Sequence, residues 1–416
     1  LHIFLKIPVL APFLHGPQGA HAPVDLEAPP LIDDGFPRAL LGTGKEVADH
    51  FFQVSTTDRE DVLAVAQNMA IDGVLAYASD PAAPTAAFVA EKMGLNGNPL
   101  TSVEILCNKD RFRRFLCEHN FHTPYADSFD NLEEALEGLA SGLYSDRVIV
   151  KPVDSSGSKG VAKIVLTEGW NSPSKLIDIK EKLMTAVSFS KRGRIIIEDY
   201  VDQSTYQVAG DGLSMDGELV FSCFANDHFN PHCKNPYVPI AASFPSILPE
   251  RVQVKIRSEV QRLLSLLNMG TTTYNFDIRI NDREEVYLME VAPRSGGNYI
   301  PQVIQYATGF DMLEAVILAT MGEPVSVPEQ AVTKGFWSYF AIHSTKDGLL
   351  KKIVIDPTVE SQHIIENHII KFPGDEVTAF TGANTTLGIL VMRFDSSEQM
   401  LRMMDDHSSW LEVCLE

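Results

Sequence analysis

A chain of 416 residues is long enough for two or three hydrophobic cores, and 45% apolar with 21% charged residues is the composition of an ordinary globular protein. With 55 acidic against 34 basic residues the net charge is −21. This argues against a nucleic-acid or anionic-membrane surface, so a polyanionic ligand needs a local cationic pocket. The five cysteines (Cys107, Cys117, Cys223, Cys233 and Cys414) show no CxxC spacing, which predicts a reduced, cytoplasmic setting without a zinc site.

The apolar run Leu1 to Leu14 is interrupted by His2, Lys6, Pro8 and Pro12 and lacks a small-residue cleavage site. It reads as a buried first strand, and nothing later reaches membrane-spanning length. The lack of an initiator methionine is what an incomplete gene product would show. Up to Cys107, short apolar runs alternate with helical stretches: Val62 to Met69, Gly73 to Tyr77, then Pro84 to Met93, where proline suits the first turn and Gly94 the cap. Such alternation predicts a small parallel α/β domain. Asn108 can cap the next helix, whose buried stripe is Phe112, Phe115 and Leu116. Lys109 in its first turn opposes the helix dipole, so it either meets an anion or is solvated.

Arg147 to Lys151 is a β-branched strand ending in lysine, followed by the small-residue loop Asp154-Ser155-Ser156-Gly157-Ser158-Lys159-Gly160 and a second strand, Val161 to Leu166. Such a loop can fold its N–H groups over phosphate oxygens, although it lacks Walker spacing and read alone is simply a hairpin turn. Arg194 to Val201 is an apolar strand that breaks into Glu198, Asp199 and Tyr200, the pattern of a hinge or of an ordinary strand end. Val208 to Asn226 forms a hairpin about Asp216-Gly217, and the proline-punctuated stretch His228 to Pro249 reads as a long loop suited to substrate contact. Pro231 spoils His228 and His232 as a helical metal pair.

The helix Glu250 to Asn268 delivers the chain to the hairpin Thr271 to Gly297. Its first strand alternates Phe276, Ile278 and Ile280 with Asn275, Asp277 and Arg279. A turn at Asn281 to Glu284 would set residue 277 opposite Leu288 and place Glu290 diagonally from Asp277, roughly 7–8 Å away, with Tyr287 and Met289 in the core. Two carboxylates at that separation can share a small hard cation, while the simpler account of the hairpin alone is a solvated charged face. A helix at Phe310 to Met321, a linker at Val325 to Val332, strands at Gly335 to Ile342, Lys352 to Ile355 and Thr386 to Phe394, a turn at Phe372 to Asp375 and a helix at Ser397 to Asp405 complete the chain.

In this order, NKDRFRRFL at Asn108, VIVKPVDSSGSKGV at Val148, IIIEDYV at Ile195, and Asp277 with Glu290 leading into EVAPRSGG resemble the ATP-grasp superfamily. The resemblance implies an α/β (α+β) chain divided into a Rossmann-like preATP-grasp domain (1–107), an ATP-grasp domain (108–325, with a lid at 108–200 and a central part at 201–325) and a small C-terminal α+β domain (326–416). It implies that Lys109 and Lys151 contact ATP phosphates, that Ser155, Ser156, Gly157, Ser158 and Gly160 close over the triphosphate, and that Glu198, Asp199, Tyr200 and Val201 receive the adenine. Asp277 and Glu290 would bind Mg²⁺, with Mn²⁺ able to replace it. Lys159, Arg294, Ser295 and Gly296 would form the catalytic group, with Arg294 on the substrate carboxylate or the tetrahedral oxyanion. The chain departs from the pattern at Ala292, where relatives carry a metal-binding Asn, and at Thr205, where they carry a ribose-binding Glu.

The implied activity is ATP-dependent carboxylate–amine ligation through an acylphosphate with release of ADP and phosphate, most like the L-amino acid ligases. The partners implied are a small carboxylate and a small amine, amino acids first, with no nucleic acid or membrane, and a homodimer is compatible with this. A bicarbonate-activating subunit of the biotin-carboxylase kind and a non-catalytic ATP-binding regulator stand as alternatives.

Overall fold

The computed structural model describes residues 3–5, 49–328 and 331–416. Strand β1 (Ile3–Leu5) pairs with β2 (Gly73–Leu75), and the helices α1 (Arg59–Met69), α2 (Ala83–Met93) and α3 (Leu100–Cys107) pack around this end. The pair is antiparallel, which corrects the parallel arrangement expected here. A parallel neighbour needs a crossover connection. Most of the connection from β1 to α1 lies outside the described residues, as does most of the expected strand Leu1 to Leu14.

Helix α4 (Lys109–Glu118) leads into a four-stranded antiparallel sheet made of β3 (Ala126–Phe129), β4 (Arg147–Pro152), β5 (Ala162–Val165) and β6 (Ile195–Asp199) in the order β3-β6-β4-β5. The period of two along these strands decides what faces the cleft. Val148, Val150, Ile195 and Ile197 pack under α5 (Leu132–Ala140) and α6 (Pro173–Ser188), joined by Ala135, Leu139, Ile179 and Leu183. The alternate residues Ile149, Lys151 and Glu198 are thereby turned to the other side.

The central sheet has eight antiparallel strands in the order β11-β10-β7-β8-β9-β12-β16-β14. They are β7 (Val208–Met215), β8 (Glu218–Phe229), β9 (Pro239–Phe244), β10 (Thr272–Ile280), β11 (Val286–Ala292), β12 (Phe336–Ile342), β14 (Ile364–Ile369) and β16 (Gly388–Phe394). Helix α7 (Glu250–Leu266) lays Val252, Ile256, Val260 and Leu263 on one face against Tyr274, Phe276 and Ile278, and α4 adds Phe112 and Leu116 to the same core. On the other face α8 (Ile300–Thr308) and α9 (Met312–Thr320) pack on Ala209, Leu213 and Phe221.

The sheet therefore runs on through the strands that follow residue 325. Strand β13 (Gly348–Ile355) stands between β15 (Glu376–Val377) and β17 (Leu411–Leu415) in a separate small sheet, while α11 (Ser397–Asp405) adds Met400, Met403 and Met404 to the core under β12 and β16. Helices α8 and α10 (Pro357–His363) and strands β14 and β17 carry no expectation from the sequence, although α8 spaces Ile300, Val303, Ile304 and Ala307 at helical intervals.

Candidate active site

The hairpin β10–β11 has a different register from the one expected. Asn281 caps its own turn, accepting from the amides of Arg283 and Glu285 (both 3.0 Å), and Glu284 is left-handed (φ 56°), so the loop takes five residues and Ile280 pairs with Val286. A bulge then sets Ile278 opposite Leu288 but Asp277 directly opposite Glu290, with Met289 as the extra residue. Leu288 accordingly packs in the core with Val286 and Val291, whereas Met289 lines the cleft beside both acids; the five-residue turn, one residue longer than expected, corrects the expectation for Tyr287 and Met289.

One cavity of about 260 Å³ gathers residues from lid and central sheet: Lys109, Lys151, Ser155, Ser158, Lys159, Glu198, Asp199, Tyr200, Val201, Asp277 and Glu290. It also takes in Gln207, Tyr237 and Arg279, which the sequence reading did not assign. Lys109 Nζ lies 2.9 Å from Glu290 Oε2 and donates to the Ser155 carbonyl at 3.1 Å. Lys151 pairs with Glu198 Oε1, and Arg113 Nε donates to Glu198 Oε2 at 2.7 Å.

Burial pushes Glu198 up, but Arg113 and Lys151 outweigh it and hold the carboxyl down at about 2. Burial opposes the charge on Glu290 as well, and Lys109 and Arg294 bring it below the usual carboxylate range. Asp277 is raised, first by burial and, among its neighbours, by Glu290. Its Oδ1 is buried without a hydrogen-bond partner among the described residues.

The loop above the cleft is pinned at its base by Asp154, whose carboxylate accepts from Ser190 Oγ (2.8 Å) and the amides of Lys191 and Arg192 (both 3.1 Å). Gly157, Ser158 and Gly160 are left-handed, and Asn235 Nδ2 donates to the Ser158 carbonyl at 2.7 Å. At the hinge, the Asp199 and Tyr200 amides are spent on the carbonyls of Tyr125 and Arg147, and the Val201 carbonyl accepts from Arg279 Nη1 (2.7 Å).

The segment after β11 is placed differently from the expectation. Arg294 does not line the cleft: its Nε and Nη2 grip the two oxygens of Asp80 at 2.8 and 2.9 Å, and its Nη1 donates to the Ser295 carbonyl. Ser295 Oγ is buried against Thr273, and the Gly296 amide donates to Asp211 Oδ2 at 2.7 Å. A side chain at Gly296 would lie 2.8 Å from Asp211 Oδ1, so this close approach requires glycine.

Asp80, Arg113 and Asp211 are functional candidates that sequence reasoning missed. Only the first had a signal, a Ser-Asp-Pro loop following strand β2. His228 is not part of a loop. It is the last residue but one of β8, between Asp405 (2.7 Å) and Ser243 (2.9 Å), and β9 divides the expected loop into residues 230–238 and 245–249. His232 is exposed, and no group of three metal-ligating side chains occurs among the described residues. All five cysteines are free, and no helix among the described residues is long and apolar enough to cross a membrane.

The family model described as "ATP-grasp domain" matches residues 145–302. The match is to a domain within the chain and not to its whole length. Protein y4rH of Sinorhizobium fredii (strain NBRC 101917 / NGR234) is 24% identical over 246 residues, covering 58% of this chain but only 47% of its own length, so the chain spans about half of that relative. The alanine–anticapsin ligase of Bacillus amyloliquefaciens is 22% identical over 364 residues, covering 81% of this chain and 73% of its own. The solved L-amino acid ligase from Bacillus licheniformis superposes with a TM-score of 0.67 at 20% identity over 86% of this chain and 85% of that one, a likeness of fold.

ATP with Mg²⁺ is the cofactor set of an ATP-grasp domain, and the residues present fit both. Lys109, Lys151 and Lys159 bring cations to the cleft for a triphosphate, the first two of them paired with Glu290 and Glu198. The unpartnered Asp277 oxygen opposite Glu290 suits a hard cation that keeps part of its water shell.

Proposed function

We propose that the chain is an ADP-forming carboxylate–amine ligase acting on small substrates, amino acids first among them. The observation that carries this reading is the joining of two cavities. The nucleotide cleft shares Lys109, Ser155 and Glu290 with a second cavity of about 200 Å³, lined by Asp80, Arg59, Glu104, Lys191 and Arg192. Lys109 and Glu290 therefore stand between a space for a nucleotide and a space that offers both signs of charge to a substrate. The fold likeness to an L-amino acid ligase agrees with this assignment.

In the reaction, a substrate carboxylate oxygen attacks the γ-phosphorus, the bond to the β-phosphate breaks, and ADP leaves. The amine nitrogen then attacks the carbonyl carbon of the acylphosphate, phosphate departs, and the nitrogen gives up a proton. Asp277 and Glu290 would hold Mg²⁺, which neutralises charge on the transferring phosphoryl group. Lys109, Lys151 and Lys159 supply the remaining positive charge from fixed positions, and Ser155 to Gly160 closes over the phosphates. Of the hinge, the backbone groups of Glu198 and Val201 would take the adenine, since the amides of Asp199 and Tyr200 are already paired. Arg294 acts through Asp80: the bidentate pair fixes an acceptor at the wall of the second cavity, which suits an ammonium group.

Incubation of the protein with ATP, Mg²⁺ and a mixture of amino acids is the test. Amino-acid-dependent ADP release with a new amide mass is expected. ADP release that requires bicarbonate would favour the carboxylase, and tight ATP binding without turnover the regulator.

A further inference from the structure

Arg113 lies one helical turn beyond Lys109, on the same face of α4, and is only 4% exposed. Its guanidinium has three partners on two separate sheets. Nε donates to Glu198 on β6, while Nη1 and Nη2 donate to the carbonyls of Leu288 (3.2 Å) and Met289 (3.0 Å) on β11.

Those two carbonyls belong to the bulge. Met289 has no cross-strand partner of its own, and buried backbone acceptors left unpaired are costly. Without the bulge the alternation of β11 would turn Glu290 away from Asp277. Glu198, the other partner of Arg113, holds Lys151 with its second oxygen.

We propose that Arg113 is a positioning residue for the Asp277–Glu290 carboxylate pair: it fixes the bulge that sets Glu290 opposite Asp277 and ties that bulge, through Glu198, to Lys151. This rests on the nucleotide and metal site proposed above. The planar fork matters, because an ammonium at the same place keeps the charge beside Glu198 but cannot span two successive carbonyls.

The test is ADP binding to the full chain by calorimetry, in excess Mg²⁺ and in EDTA, for wild type, Arg113→Lys and Glu198→Gln. Wild type gains affinity from Mg²⁺. Arg113→Lys is expected to bind ADP in EDTA about as wild type does and to lose about tenfold or more of the Mg²⁺ gain, the size typical of lost outer-shell support. Glu198→Gln, which disturbs Lys151 but leaves the carbonyl clamp, lowers affinity equally in both conditions.

An Arg113→Lys chain with the full Mg²⁺ gain overturns the proposal, as does a uniform loss in both conditions, which would show support of the fold alone. Loss of the gain in Glu198→Gln to the same extent overturns the clamp as its route. A wild type whose ADP affinity ignores Mg²⁺ overturns the metal reading of Asp277 and Glu290 together with this one.

Discussion

The hairpin end of the cleft and the loop end are built on different principles. At the hairpin end, Lys109, Lys151 and Arg113 face Glu290, Glu198 and Asp277, three cations against three anions. At the loop end, Ser155 to Gly160 carries one cation, Lys159, without an ion pair among the described residues, and a single side-chain bond from Asn235 holds the middle of the loop. The first arrangement is already neutral, so a bound metal and triphosphate must exchange partners within it. The second offers backbone N–H groups and has little to break. Substitutions should therefore be expensive at one end and mild at the other.

Glu198→Gln should show the largest effect. It leaves Arg113 and Lys151 buried with one neutral partner, and breaking a buried pair costs about 3–5 kcal/mol. Urea unfolding at neutral pH measures it, and a loss below about 1 kcal/mol, the value of a surface pair, would mean that the network is solvated.

Asp211, beneath the Gly296 turn, extends the hairpin end into a pH dependence. Burial pushes its carboxyl up to about 6. Because the folded pKa exceeds the unfolded one, the folded state binds the extra proton between about pH 4 and 6, and stability is lost as pH rises through that window. The contribution is about 3 kcal/mol by pH 7. Asp211→Asn removes the titration, so its stability relative to wild type should climb across the same window; a difference independent of pH would show that Asp211 titrates normally.

Glu290→Gln separates chemistry from folding at the same end. Turnover should fall at least about a hundredfold, some 2.7 kcal/mol in the barrier. ADP binding in EDTA should not weaken, because Lys109 is released from its partner and free to meet phosphate. Retention of more than about a tenth of the activity, 1.4 kcal/mol, would remove Glu290 from the metal site.

The same contrast explains what could be read in the sequence. Strands β4 and β6 were legible as strands but not with their faces, because Val148-Ile149-Val150 and Ile195-Ile196-Ile197 are apolar without alternation; the packing of Val148, Val150, Ile195 and Ile197 is what leaves Lys151 and Glu198 to the cleft. The hairpin was legible as two strands but not in register. The turn took five residues rather than four and so put Tyr287 and Met289 on the cleft side, and the bulge, which inserts one residue without altering composition, then brought Glu290 to that side, directly opposite Asp277. Arg294 was visible as a fork for two oxygens, yet its partner is Asp80, 214 residues away in sequence. Asp211 and Arg113 act through tertiary contacts that no local pattern announces.

Gly157→Ala is the mildest change and the sharpest measure of the loop end. Gly157 is left-handed at φ 66°, and an added methyl group would find nothing within 4 Å. The expected loss is therefore conformational alone, about 1 kcal/mol. If that strain is relieved by reshaping the loop, thermal stability hardly moves while ADP affinity falls severalfold, because the N–H groups of Ser158 to Gly160 swing away from the phosphates. If the loop keeps its shape, stability falls and affinity stays. The two readouts thus move in opposition at the loop end, whereas at the hairpin end Glu198→Gln depresses both, since Glu198 holds Lys151 as well as the buried Arg113. Parallel loss of stability and affinity in Gly157→Ala would show that the loop belongs to the same coupled network as the hairpin, and the division of the cleft into a charged, fixed end and an adaptable one would fail.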